Sequence, residues 1–203
     1  DPLGCATLVG ERLFSLAGWI KAPGSVRDGK FAARWRDKSG VPDRKELAAM
    51  KPRFAALRTD WQKARVGVLP SRAAGKHDTA SSNRLAGLLQ QELGGNVTAV
   101  PDGARLEVAA DSNEQKRLWD LARGLRAALG KQAVAADYAL VVDLGLDAAR
   151  GAGFVHVVVC TAKGEFVLVD FQNDQHPLFQ RLAPKTLEDC ERLAVARLQE
   201  LLR

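Results

Sequence analysis

Histidine and cysteine are both scarce in this 203-residue chain, three of each: His77, His156 and His176, and Cys5, Cys160 and Cys190. There is no HExxH, no CxxC pair and no other ligand spacing among them, so the sequence nominates no metal centre. Long apolar runs are missing too. None approaches the ~18 residues a membrane-spanning helix needs, and the longest early candidate, Leu13–Ile20, is short and contains Gly18. A glycine-rich phosphate cradle is also absent. Residues Val68 to Lys76 place a basic loop after a strand, superficially like a P-loop. That loop lacks the opening glycine and the Ser/Thr after lysine, and Pro70 sits where backbone N–H donors are wanted. Gly151-Ala152-Gly153 precedes a strand and not a helix, which excludes a dinucleotide fingerprint. There is no GxSxG, and Cys160 has no evident base partner. The expectation is therefore no catalytic residue, no cofactor and no enzyme activity.

What is present is a globular composition: 46% apolar and 27% charged residues. The length suits one large core, or a domain of about 140 residues with an extension. The net charge of +6 is uneven. Residues 1–64 hold 13 Lys/Arg against 7 Asp/Glu, whereas residues 65–203 hold 17 of each. A basic segment favours nucleic acid or anionic lipid; interleaved acids also fit a solvated helical face.

The most structured stretch is Ala135–Phe171. Its valines, stiff at χ1, suit a pleated surface and predict three strands, Tyr138–Leu144, Phe154–Thr161 and Glu165–Phe171. Ala162-Lys163-Gly164 predicts a tight hairpin between the last two. Upstream, Arg44–Lys63 carries Leu47, Met50, Phe54, Leu57 and Trp61 at helical steps, with Pro52 expected to kink or split it. Val66–Pro70 predicts a short buried strand and Ser71–Ser82 a polar loop. A helix over Asn83–Leu93 follows, capped by Ser81 or Ser82 and stopped by Gly94-Gly95. Asn96–Val100 and Ala104–Ala109 read as strands, and a helix starting from Asp111 or Ser112 runs to Leu129. Residues 172–182 read as a loop, and Thr186 caps a final helix, Leu187–Leu202.

The order from residue 65 is thus β-α-β-α-β-β-β-α. It predicts an α/β (α+β) domain over 65–203, a mixed sheet with helices packed against it. Residues 1–64 are expected to form a basic, mostly helical extension. The expected interaction loops carry Lys76, His77 and Asp78 on one side, and Asp174 and His176 on the other.

The residues RVGVLP (65–70), RLAGLLQQEL (84–93), NVTAV (96–100), the helix-to-strand run of 119–145 and the hairpin VHVVVCTAKGEFVLVDF carry a resemblance. Their order resembles the fold family shared by the amino-terminal domain of the periplasmic protein TolB and the curli-secretion lipoprotein CsgG. The resemblance covers about two-thirds of the chain and implies a non-enzymatic bacterial envelope module acting through protein–protein contacts. Gly4-Cys5-Ala6 resembles the end of a bacterial lipoprotein signal, which makes Cys5 a lipidation candidate, although Pro2 and Leu3 depart from the usual pattern. The expected location is then the periplasm, anchored at the outer membrane if Cys5 is acylated. The expected partners are other envelope proteins or a second copy. In an exported protein Cys160 and Cys190 are a possible disulfide; in the cytosol both are core thiols. The alternative is a nucleic-acid-binding module using Arg34, Trp35, Arg36, Lys38, Arg44, Lys45, Lys51 and Arg53. A weaker third reading is a hydrolase built on the loops of His77 and His176.

Overall fold

The computed structural model describes residues 44–73, 75–106, 108, 114–147 and 151–203. It is an α/β fold whose centre is one mixed seven-stranded sheet. In chain order the elements are α1 (Arg44–Asp60), β1 (Arg65–Val68), β2 (Ser71–Ala73), β3 (Lys76–Asp78), α2 (Thr79–Leu93) and β4 (Asn96–Ala99). There follow α3 (Glu114–Leu129), β5 (Tyr138–Asp147), β6 (Gly151–Thr161), β7 (Phe166–Asn173), α4 (Pro177–Leu182) and α5 (Leu187–Leu202).

β5 is the hub. Along one edge it takes two partners in succession, β1 through Val66↔Tyr138 to Val68↔Leu140 and β2 through Arg72↔Asp143, both parallel. β1 and β2 are one strand broken at Leu69-Pro70, where proline has no N–H for a ladder. Ser82 repairs the break from α2: its Oγ accepts the Ser71 N–H at 2.7 Å and donates to the Leu69 carbonyl at 3.0 Å. β4 lies parallel to the far side of β1, and β3 pairs antiparallel with β2. The other edge of β5 runs antiparallel to β6, and β6 antiparallel to β7. The hairpin at Ala162-Lys163-Gly164 forms as predicted, with Gly164 at φ +79°.

Alternation along the strands divides the core in two. One face carries Val141, Asp143, His156, Val158 and Phe171 and is covered by α3 and α1, which touch through Arg126 and Glu46. The other carries Leu140, Val142, Val157 and Asp170 and is covered by α2 and α5. Helix α1, read from sequence as part of the N-terminal extension, packs along β7, and its Leu47, Met50, Phe54, Leu57 and Trp61 are buried in the same core. Its 17 residues form one helix that is not split at Pro52. Val167 to Asp170 are at most 1% exposed, backbone included, so the outer edge of β7 is out of solvent.

Several boundaries differ from those read in the sequence. Residues 71–82 are not a loop but a small hairpin and the first turn of α2. The cap of α2 is Asp78, which accepts the Ser81 N–H at 3.0 Å; Ser82 is spent on the strand break instead. Residues 104–106 are not a strand, although Leu106 and Val108 are buried. Within 172–182 Pro177 opens the short helix α4, because its fixed φ suits a first helical position. Asp111 and Ser112, expected to start α3, lie outside the described residues. Among the described residues no helix is long and apolar enough to cross a membrane.

Candidate functional site

The strand registers align a polar row across one sheet face. His77 on β3 stands opposite Arg72 on β2, Arg72 beside Asp143 on β5, Asp143 opposite His156 on β6, and His156 opposite Phe171 on β7. Asp143 is its anchor, fully buried in the otherwise apolar run Val141–Leu144. A lone buried carboxylate is too costly to keep ionised without partners. Arg117 descends from the first turns of α3 and grips it with two bonds, Nε to Oδ2 at 2.6 Å and Nη2 to Oδ1 at 3.0 Å. Arg72 approaches from the other side, Nε 3.7 Å from Oδ1, while its remaining nitrogens donate to the carbonyls of Leu106 (2.6 Å) and Gly75 (3.2 Å).

Aromatic rings close this cluster. Phe154 stacks on His156 with ring centroids 4.3 Å apart, and the Arg117 guanidinium lies 4.9 Å from the Phe154 centroid. Gly145 makes this possible, since a Cβ at that position would sit 2.3 Å from the Phe154 ring. Phe171 meets His156 edge-on and in turn meets His176 edge-on at 5.0 Å. His156 Nδ1 is 3.9 Å from Asp143 Oδ2, beyond hydrogen-bond reach. The geometry suits clamping better than proton relay: one carboxylate ties α3 to the middle of the sheet through Arg117 and holds the guanidinium of Arg72 on the neighbouring strand β2.

The opposite face has its own clamp. Arg197 of α5 bonds Asp170 of β7 in bidentate fashion, both contacts at 2.9 Å, and Gln172 Nε2 donates to the same carboxylate. Burial works against the Arg197 charge, but the Asp170 bonds outweigh it and the net shift of its pKa is upward. A third buried carboxylate, Glu191 of α5, is held by Arg84 of α2 at 2.7 and 3.0 Å, and that bond raises the arginine pKa.

The residues nominated from sequence do not converge. Lys76, His77 and Asp78 lie on β3, whereas Asp174 and His176 follow β7; β2, β5 and β6 stand between them, a span of roughly 19 Å at the usual strand spacing. The two-histidine arrangement that the hydrolase reading required is therefore not formed, and no cluster of three metal-ligating side chains occurs among the described residues. Asp78 is committed to the α2 cap, and the Asp174 carbonyl accepts from Gln180. Cys160 and Cys190 are both free thiols and not a disulfide. Cys160 points to the α1/α3 side while Cys190 sits on α5, so the sheet separates them. Burial pushes Cys160 up to about 12 and Cys190 up to about 11, which leaves both thiols inert at neutral pH. Cys5, Arg34, Trp35, Arg36 and Lys38 lie outside the described residues. Of the other basic residues of the first third, Lys45 and Lys51 are exposed, but Arg53 is tied to Glu165 at 2.8 Å and to the Phe166 carbonyl.

Sequence reasoning missed the polar row because Arg72 fell in a stretch read as a loop and because the partner of Asp143 on α3, Arg117, is 26 residues away along the chain. The available signal was Asp143 itself, a carboxylate within a β-branched strand that must find a cation. Comparison of the chain with protein-family models, curated proteins and solved structures gives no match.

Proposed function

We propose that this chain is a non-enzymatic module of the bacterial cell envelope, facing the periplasm and acting as an assembly or accessory component through protein–protein contacts. The observation that supports this most is the architecture of the sheet. Three parallel strands in the order β4–β1–β5 lead into the antiparallel β5–β6–β7, a mixed sheet compatible with the chain order of elements on which the resemblance to the TolB amino-terminal domain and CsgG rests. The buried charges support the same reading, because Asp143, Asp170 and Glu191 are each consumed in holding a helix to the sheet or to another helix. Function then belongs to surfaces and not to an interior site. Cys5, in Gly4-Cys5-Ala6, supplies the membrane anchor through acylation. Mass spectrometry of the protein from its native membrane fraction tests this. The expected result is an acylated Cys5; unmodified protein confined to the cytosol would overturn the proposal.

A further inference from the structure

Among the described residues, no close contact requires Gly87 to be glycine. It lies in the middle of α2 on the exposed side, without a positive φ, and a Cβ there would meet nothing within 4 Å. Glycine at such a position destabilises a helix relative to alanine, through the backbone freedom it loses on folding. Around it is a groove of about 330 Å³ between α2 and α5, lined by Arg84, Leu88, Gln91, Glu188, Glu191 and Arg192. Half-buried Leu88 gives it an apolar spot, and the Arg84–Glu191 pair crosses it. A missing side chain beside an apolar residue lets another helix approach closely.

The charges on the α5 wall indicate which helix. Glu188 and Arg192 are opposite in sign and one turn apart, both exposed. A twofold axis passing between them would place each Glu188 against the partner's Arg192 and each Arg192 against the partner's Glu188, the reciprocity an isologous contact demands. We infer that the α2–α5 groove is a contact between two copies of this chain, with the α5 helices antiparallel and the Gly87 notch taking the neighbouring helix surface. The inference rests on the reading of this chain as a protein-contact module and names its partner and surface.

Sedimentation of the full chain with Cys5 unacylated, from ~1 to ~100 µM, reads it directly. The expected result is a reversible dimer. Glu188→Arg and Arg192→Glu, each checked for unchanged circular dichroism, weaken it at least ~10-fold, and mixing the two variants restores it as a heterodimer. Gly87→Ala raises the melting temperature of the monomer while weakening the dimer, a split that a purely structural glycine would not give. A monomer throughout the range, or a dimer indifferent to both charge reversals, overturns the inference. An unmodified Cys5 in cells together with a charge-sensitive dimer would overturn the envelope location alone and leave this contact standing.

Discussion

Asp143 shows how one side chain constrains its neighbours. Its carboxylate is the only acid among the described residues of the row, and it faces Arg72, Arg117 and His156 from three different elements. Removing it leaves two guanidinium groups buried beside a histidine, so Asp143→Ala should cost about 3–5 kcal/mol, read as a drop in the urea midpoint. An isolated surface pair would lose less than ~1 kcal/mol, and a loss that small would refute the clamp. At this scale the sequence was half legible. An acid among valines is visible at once, but its partners are 71 and 26 residues away along the chain, and only the fold brings Arg72 and Arg117 to it.

Among the elements, α5 was readable almost in full because its information is local. Thr186, Glu188 and Asp189 stand within four residues of one another, and the structure forms a reciprocal capping box: Thr186 Oγ1 accepts the Asp189 N–H at 3.1 Å, and Asp189 Oδ2 accepts the Thr186 N–H at 2.9 Å. Backbone hydrogen bonds, from Lys185 first and then Thr186, hold the Asp189 carboxyl below its usual range. A depressed folded-state value means the contribution is present above the unfolded value of ~3.9 and is lost as pH falls through the folded one. The stability gap between wild type and Asp189→Asn should therefore be constant above about pH 5 and close progressively below about pH 4, in denaturation curves taken across that range. Thr186→Ala should cost about 1 kcal/mol at neutral pH. The start of α2 was misread for the opposite reason. The sequence offered Ser81 or Ser82 as the cap, whereas the structure uses Asp78, and the strand break that recruits Ser82 is not a local property of that stretch.

For the molecule as a whole, α1 is the element whose weight the sequence concealed. Its stripe of Leu47, Met50, Phe54, Leu57 and Trp61 was legible as core, but not which sheet edge it would cover. Five buried side chains at about 1.5–3 kcal/mol each amount to on the order of 10 kcal/mol, comparable with the whole stability of a typical domain. A chain starting at residue 65 should lose cooperative unfolding and self-associate through the uncovered edge of β7, whereas one starting at residue 44 should keep a sharp thermal transition. Calorimetry on the two truncations separates these outcomes, and equal transitions would show α1 to be dispensable.

Gly145 and Phe154 stand opposite each other in the β5–β6 ladder, and the ring fills the space where a side chain at 145 would be. The two positions thus share a single volume. In a relative of this protein a larger residue at 145 would have to come with a smaller one at 154, and that trade would take away the ring stacked on His156. The pair is a two-letter marker by which descendants of this sheet should be recognisable, because position 145 cannot enlarge while the ring at 154 stays.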